Sequence, residues 1–257
     1  MPRACPTCGN VDLKPVGRGT QRVEETLAAR FPQARIVRID RDSARRRGDL
    51  NRVLESIHRG EADILVGTQL LAKGHDFPGL TLVAVLNADT ALMSTDYRAP
   101  ERLFAVLAQV SGRAGRRERP GEVIVQTRYP GHPLFAALSR NDFAGFAEAQ
   151  LADRRSAGFP PFVFEAALRA EARKLEDALR FLREAAGGLA RPDEVSVFDP
   201  VAHVITRRAD FERAQLLMQS TSRAALQQFL TALSDKLFAA APRQIRWHLD
   251  VDPIEFD

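Results

Sequence analysis

Over the first 130 positions, short apolar runs alternate with segments in which apolar residues recur at helical spacing. Four short, mostly apolar runs predict buried strands, and they lie at 34–39, 63–68, 80–86 and 121–127. Between the runs, apolar residues recur every three or four positions, which predicts helices with one buried face. Because strands alternate with helices at this spacing, we expect a doubly wound α/β unit around a parallel sheet.

The last hundred residues show a different order of patterns. Alternation from Phe162 to Ala170 predicts a strand, and the stripe from Leu175 to Ala186 predicts a helix. The further predicted elements are a strand at 195–198, a strand at 214–218, a helix at 226–237 and a strand at 245–251. The order βαββαβ is that of a ferredoxin-like α+β fold.

The two patterns meet at Phe159-Pro160-Pro161-Phe162, after a long helical stretch that we expect to run from Pro133 to Gly158. Adjacent prolines stiffen a connection, so we place the domain boundary there. The phenylalanines could stack on nucleic-acid bases, but aromatic residues beside a linker more often pin it to a core, which we favour. The expected domains are a remnant at 1–16, an α/β domain at 17–158 and an α+β domain at 159–257.

One segment combines a helix with closely spaced glycines and arginines. Leu103, Val106, Leu107 and Val110 share a helix face, and the helix leads into Gln109-Val110-Ser111-Gly112-Arg113-Ala114-Gly115-Arg116. Arg113 and Arg116 can point the same way, and a rigidly held guanidinium donates hydrogen bonds bidentately to phosphate. The alternative is a basic helix end that is only solvated.

A second segment, Gly67 to Pro78, follows a predicted strand. Polar residues at a strand's carboxyl end lie where open α/β sheets place their ligands. Thr68 offers a hydroxyl, Gly74 permits close backbone approach, and Asp76 can accept from a ribose or orient an arginine. Lys73 could meet a phosphate as a point charge. The same edge carries Asp40-Arg41-Asp42, which fits a site and a helix cap equally well.

Cys5 and Cys8 form Cys-Pro-Thr-Cys-Gly, the turn of a zinc knuckle, and are the only two cysteines of the chain. A structural zinc takes four ligands, so these two make half a site. A redox dithiol is the competing interpretation, but no strand precedes the pair and no helix follows it. We expect the other half upstream of Met1, which would make this chain a fragment.

Composition narrows the class of protein. The chain has 257 residues, is 45% hydrophobic and carries a formal net charge of +4. The length suffices for two folded domains of ordinary size, and the charge permits nucleic-acid binding without demonstrating it. No apolar run reaches the length of a membrane span, so we expect a soluble, cytoplasmic protein without a membrane partner. Two basic clusters, Arg45 to Arg47 and an expected loop with Thr206, Arg207, Arg208 and Arg213, could contact a nucleic-acid backbone or be solvated.

Taken together, these motifs resemble the primosomal replication-restart helicases of superfamily 2, over their C-terminal half. The resemblance rests on residues 67–78, on Gln-x-x-Gly-Arg-x-Gly-Arg at 109–116, on Phe-Pro-Pro-Phe and on the ending from Trp247 to Ile254. It implies a RecA-like second helicase lobe followed by the family's C-terminal domain. It also implies an ATP-dependent 3′–5′ DNA helicase that remodels branched DNA and restarts stalled forks.

The resemblance assigns roles to single residues. Arg113 and Arg116 would reach the γ-phosphate of ATP, and Gly74, Asp76, Gln109 and Gly112 would bind the nucleotide or couple it to the lobe interface. Thr68, Gln69 and Lys73 would contact DNA, and Cys5 and Cys8 would be the last two ligands of a paired zinc insertion. The implied cofactors are ATP, Mg²⁺ and Zn²⁺. The implied partners are forked and single-stranded DNA, single-strand-binding protein and primosome proteins.

Two nucleotide motifs of such helicases are missing from these 257 residues, namely Gly-x-x-x-x-Gly-Lys-Ser/Thr and Asp-Glu-x-His. Since the first cradles the phosphates of ATP, we expect no ATPase activity from this chain alone. The segment 209–215 is less basic and less aromatic than the family usually shows. A non-catalytic module that binds DNA or a primosome partner is therefore the second hypothesis.

Overall fold

The computed structural model describes residues 19–39, 47–68, 77, 79–94, 96–112, 121–208, 210–240, 242 and 244–254. The chain divides into two compact units. The first comprises Met1–Ser94 and Arg98–Asp142, and the second comprises Thr95–Tyr97 and Phe143–Asp257.

The first unit alternates helices and strands in the predicted order. Its elements are α1 (Thr20–Arg30), β1 (Ile36–Ile39), α2 (Arg47–His58), β2 (Ile64–Gly67), β3 (Leu82–Val85), α3 (Asp89–Leu92), α4 (Ala99–Ser111), β4 (Glu122–Val125) and α5 (Pro133–Ser139). In the described part of the chain, β1 pairs with β2 and β3 with β4, and both pairs are parallel. The predicted α/β class with parallel strands is thus confirmed for this unit.

Apolar contacts hold the described part of this unit together. Beside β1 and β2, Ile39 (3% exposed), Ile57 (8%) and Phe77 (8%) pack together, with Val53 and Leu54 of α2 against them. Helix α4 contacts α3, α5, β3 and β4. Leu107 of α4 and Leu134 of α5 are both fully buried.

Strand β3 is less buried than the apolar run at 80–86 predicts. Its burial alternates, and Leu82 of β3 and Ile124 of β4 are each 49% exposed. Val83 and Val85, which point to the opposite face, are partly buried. An apolar run alone does not distinguish a strand covered on one face from a strand covered on both, because every residue in it is apolar.

The predicted helix from Pro133 to Gly158 is wrong as a single element. Helix α5 ends at Ser139 and α6 begins at Phe143 and ends at Ala157. Asn141 has a φ of 53° between them, a left-handed conformation that asparagine adopts more readily than most residues. The compact units separate at this break, so α6 belongs to the second unit, whereas the predicted domain boundary lies at 158.

The described part of the second unit is an antiparallel sheet with three helices, of which α6 is the first. Its further elements are β5 (Phe164–Ala172), α7 (Leu175–Ala186), β6 (Val195–Val197), β7 (Val201–Arg208), β8 (Phe211–Ser220), α8 (Arg223–Ala240) and β9 (Arg246–Val251). The strands lie in the order β6-β8-β5-β9, and β7 also pairs with β8. Alternate residues of β5, from Ala166 to Ala172, pack with Leu182 of α7 and Leu233 of α8 in one core.

The predicted basic loop with Thr206, Arg207, Arg208 and Arg213 is wrong, because these residues lie in β7 and β8. Arg208 pairs with Phe211, so the strands turn around Asp210, whose φ is 67°. Arg213 is only 14% exposed and lies 3.5 Å from Glu171. An ion pair on a half-buried sheet therefore holds this arginine, since a charge that loses water needs a partner.

Candidate functional site

Helix α4 carries the described part of the candidate nucleotide motif. Pro100 lies in its first turn, where a missing N–H costs no helical hydrogen bond, and Glu101 faces the positive end of the helix dipole. The buried residues are Ala99, Leu103, Phe104 and Leu107. The predicted face is confirmed at Leu103 and Leu107, whereas Val106 and Val110 are only partly buried.

The C-terminal end of α4 is open to solvent at the motif residues. Gln109 and Gly112 are exposed, and the N–H of Gly112 donates to the carbonyl of Ala108 at 3.1 Å. Gly112 has φ −70° and ψ −1°, so it continues the helical conformation. A Cβ at this glycine would lie 3.6 Å from its nearest neighbour, the Ala108 carbonyl, which is ordinary contact. Arg113 and Arg116 lie outside the described residues.

A second candidate edge lies where β1 and β2 end. Ile39 and Gly67 are register partners in this parallel pair, so the two strands end side by side. Each end is followed in sequence by one of the predicted ligand-binding segments. Thr68 follows immediately and is exposed, as a contact to a nucleic-acid backbone requires. Gln69, Lys73, Gly74 and Asp76 lie outside the described residues, as do Asp40 to Asp42.

The carboxyl ends of β3 and β4 are joined by Asp89. Its Oδ1 accepts from the hydroxyl of Thr127 at 2.5 Å, and its Oδ2 accepts from the backbone N–H of Arg128 at 2.9 Å. The pKa of Asp89 is lowered from its ordinary value, chiefly by the Thr127 hydrogen bond and then by the Arg128 N–H. The Asp89 carboxylate thus links the segment after β3 to the segment after β4.

The sequence predicts a strand at 80–86, just before Asp89, but does not indicate the link from Asp89 to Thr127. A signal was present, since Thr127 ends the next predicted strand and parallel strands place their carboxyl ends at one edge. The pairing of β3 with β4, which the sequence order does not specify, brings the two side chains together.

A surface cavity of about 480 Å³ lies in the second unit, between the end of α7 and the connection from β6 to β7. Its lining combines a buried floor, Leu216, with Phe198, which is 47% exposed. Arg183, Arg191 and Asp199 supply the charged groups of its wall. Charged and apolar side chains thus share the wall of this open cavity.

The zinc prediction falls on Cys5 and Cys8, which lie outside the described residues. Within the part of the chain that the structure describes, no group of three or more His, Cys, Asp or Glu side chains is arranged to hold a metal ion. Within the same part, no helix is both long and apolar enough to cross a membrane.

Two family models match the chain. The helicase conserved C-terminal domain matches residues 17–118, and the primosomal protein N C-terminal domain matches residues 155–254. The chain is 43% identical over 255 residues to the replication restart protein PriA of Haemophilus influenzae. It is 38% and 37% identical to the proteins of the same name from Synechocystis sp. and Bacillus subtilis.

The chain belongs to the PriA family. The three alignments cover 98%, 100% and 95% of this chain but only 35%, 31% and 30% of the relatives. The chain thus spans about a third of the length of these PriA proteins. Among solved structures, the de novo designed protein Foldit4 aligns with 36% of this chain and 99% of its own at 6% identity, with a TM-score of 0.27, too low to indicate a shared fold.

The matches divide the candidate site residues between two parts of the PriA sequence. Thr68, Gln109 and Gly112 fall in the helicase C-terminal domain match, together with Arg113 and Arg116. The cavity residues Arg183, Arg191 and Asp199 fall in the C-terminal domain match.

Proposed function

We propose that this chain supplies the second nucleotide-facing lobe and the C-terminal domain of a 3′–5′ DNA helicase that restarts replication at stalled forks. The observation that carries the proposal is the helicase C-terminal domain match over 17–118, in which α4 ends in the exposed pair Gln109 and Gly112, directly before Arg113. An exposed helix end followed by arginines is suited to reach a ligand that another lobe holds.

In this proposal Arg113 and Arg116 stabilise the negative charge that develops on the transferring phosphoryl group of ATP. Arginines in this role raise the rate of phosphoryl transfer by about 10³–10⁵. Gln109, Gly112, Gly74 and Asp76 couple the nucleotide to the lobe surface. The described residues present no cluster of metal ligands, so Mg²⁺ would be held by groups outside them.

DNA contact is assigned to Thr68, Gln69 and Lys73 at the end of β2. In this proposal these hydroxyl, amide and ammonium groups bind phosphate and sugar. Such backbone contacts carry no sequence information, so branch shape would select the substrate. The exposure of Thr68 at a parallel strand end supports this assignment. Forked and single-stranded DNA, single-strand-binding protein and primosome proteins are the proposed partners, in the cytoplasm.

For the second unit we propose the ferredoxin-like fold, in a C-terminal domain that begins near residue 159. The strand order β6-β8-β5-β9 and the antiparallel pairing support it, because β6 and β7 together line one side of β8 as a single interrupted edge strand. Residues 17–158 would form the RecA-like lobe. Residues 1–16 would contribute Cys5 and Cys8 as half of a Zn²⁺ site.

The test is ATP-dependent unwinding of forked DNA by the full-length gene product. Arg113→Ala and Arg116→Ala, made separately, should each lower kcat for ATP by about 10³ or more. Arg117→Ala is the matched control, because it removes the adjacent arginine outside the Gln-x-x-Gly-Arg-x-Gly-Arg pattern. Wild-type unwinding by both motif variants would contradict the proposed roles.

The alternative function is a non-catalytic module that binds DNA or a primosome partner through residues 160–257. The cavity beside Arg183 and Arg191 favours it, because two guanidinium groups beside an apolar floor suit an anionic ligand. Forked DNA titrated into the isolated chain and into Arg183→Ala/Arg191→Ala should show at least tenfold weaker binding by the variant. Equal binding by the two proteins would show that these arginines do not bind DNA.

A further inference from the structure

The surface cavity beside the end of α7 gathers three charged side chains that have no partner. Arg183, Arg191 and Asp199 line it, and within the described residues none of them makes an ion pair or a side-chain hydrogen bond. Arg180, three residues earlier on the same helix, is by contrast paired with Asp177. The three cavity charges are therefore available to a ligand.

The balance of these charges favours an anion. Among the residues that line the cavity, two guanidinium groups face one carboxylate, and the nearby carboxylates Glu184 and Glu194 are not part of the lining. A guanidinium binds phosphate through two parallel hydrogen bonds. A plain anion leaves Asp199 unexplained, because that carboxylate would repel it, so the ligand also needs a group that donates hydrogen bonds.

The end of α7 would by itself disfavour an anion, because the last carbonyls of a helix carry partial negative charge. Ala186 and Gly187 of this end line the cavity. The ammonium of Lys236, however, donates to the carbonyls of Glu184, Ala185 and Gly187 and adds a positive charge there. The helix end therefore does not exclude a phosphate from the cavity.

Apolar side chains give the cavity a surface on which a flat ring can lie. Leu216 of β8 is 1% exposed and forms the floor, Val197 of β6 also lines it, and Phe198 is 47% exposed. A nucleobase stacks on an aromatic ring because every base has a π face. Asp199, the next residue after Phe198, can accept hydrogen bonds from the edge of such a base.

The bases differ in what they offer to a carboxylate. Guanine presents two adjacent donors on one edge, a ring N–H and an amino group, whereas thymine presents only a ring N–H. A carboxylate has two oxygens that accept side by side, so Asp199 would favour guanine over thymine.

We propose that this cavity binds a nucleotide, with the base on Phe198, the edge of the base against Asp199 and the phosphate on Arg183 and Arg191. The same contacts serve a free nucleoside monophosphate and an unpaired nucleotide of single-stranded DNA. The inference is independent of the ATP site in the proposed helicase. Its DNA form deepens the alternative function given above and rests on that function.

The test is calorimetric titration of the purified chain. The ligands are a short oligothymidine strand with one central guanine, the same strand without guanine, dGMP and dTMP. The chain should bind the guanine form of the strand, the monophosphate or both about tenfold more tightly than the thymine form, as expected for a bidentate contact to a base.

Each part of the site has its own variant. Phe198→Ala should weaken binding of the guanine ligand about tenfold, and Phe198→Tyr, which keeps the ring, should not. Asp199→Ala should abolish the preference for guanine. Arg183→Ala/Arg191→Ala should weaken guanine and thymine ligands alike, because the two arginines bind the phosphate.

Two matched controls should bind as the wild type does. Arg180→Ala removes an arginine of the same helix that does not line the cavity. Phe238→Ala removes a phenylalanine that is 80% exposed and contacts Trp247 instead of the cavity. Thermal melts check that each variant is folded, which we expect because the four substituted cavity residues are exposed.

Equal affinity for guanine and thymine ligands, or wild-type affinity in Phe198→Ala, would overturn the proposal. Binding of the guanine strand without dGMP would identify DNA as the source of the nucleotide. Binding of dGMP without either strand would identify a free nucleotide and reject the alternative function. If the strands bound equally and only the double arginine variant bound them weakly, the alternative function would stand and the nucleotide site would fail.

Discussion

At the scale of single residues, Gly112 is a position where the backbone conformation does not by itself require a glycine. Its helical φ and ψ and the 3.6 Å spacing to the nearest atom mean that the fold does not require a glycine here. Because a Cβ would fit here without a clash, any need for glycine at this position would have to come from the close approach of a ligand.

Gly112→Ala should therefore leave the free energy of unfolding unchanged or raise it by up to about 1 kcal/mol, because alanine restricts the unfolded chain. If Gly112 contacts the nucleotide as proposed, the same change should reduce ATP turnover by the full-length protein, since a methyl group would then lie between the two. Urea unfolding and ATPase assays check the two halves. A destabilised variant would show that the glycine is needed by the fold.

Lys236 donates hydrogen bonds to the end of α7, a contact that no pattern in the sequence predicts. Its Nζ donates to the carbonyls of Glu184, Ala185 and Gly187, at 2.7, 3.0 and 2.6 Å, and so satisfies the C-terminal end of α7 from α8. Helix ends leave carbonyls unpaired, and a cation there also opposes the negative end of the helix dipole.

Lys236→Met should lower the free energy of unfolding by about 1–2 kcal/mol, because hydrogen bonds to a charged group are lost while the apolar stem is kept. Lys174→Met, at the other end of α7, is the control and should have little effect. Chemical denaturation of both variants measures the difference. Equal stabilities would mean that water replaces the ammonium without cost.

At the scale of elements, Asp89 ties β3 to β4 and makes the stability of that edge depend on pH. Its folded pKa is lowered, so its contribution is fully present above the unfolded pKa of about 3.9 and is lost as pH falls through the folded value. Asp89→Asn keeps the shape but cannot accept both hydrogen bonds through oxygen.

The melting temperature of Asp89→Asn should therefore lie below that of the wild type by a constant few degrees from neutral pH down to about pH 4. Below that pH the difference should shrink, because wild-type Asp89 becomes protonated. Thermal melts across pH 2.5–7 follow this change. A gap that persists unchanged at the lowest pH would show that the charge does not matter.

At the scale of the whole molecule, ATP in the proposed helicase would be held by groups that are not among these 257 residues. The purified chain should show no ATP turnover above background, because the phosphate-cradling motif is absent from its 257 residues. A coupled ATPase assay with and without forked DNA tests this. Turnover that disappears in Arg116→Ala would show that the chain holds ATP itself.

The zinc content of the purified chain is a second property that can be predicted for the whole molecule. Two thiolates are too few for a structural site, so the purified chain should contain well below one zinc per monomer. Metal analysis after gel filtration measures it, with Cys5→Ser/Cys8→Ser as the control. One tightly bound zinc per chain would require two further ligands; half a zinc per chain would require two chains around one metal.

Much of the architecture could be predicted because local patterns dictate it. Apolar runs between glycine and polar residues give β1 to β4, and three-to-four spacing gives α4, α7 and α8. Prediction was wrong where one residue changes the path. Asn141 divides the expected long helix, and Thr206, Arg207 and Arg208 lie in β7 although three polar residues in succession predict a loop.

The sequence by itself determined the α/β and α+β classes, the family and the motif residues, because each depends on residue types at short spacing. Only the tertiary structure decided which strand ends meet at Asp89 and Thr127, which carbonyls Lys236 caps, and that Tyr97 stacks on Phe159. Those contacts join residues 38, 49–52 and 62 positions apart. Periodicity describes neighbours within one element, whereas packing between distant elements is set by the pairing of their surfaces.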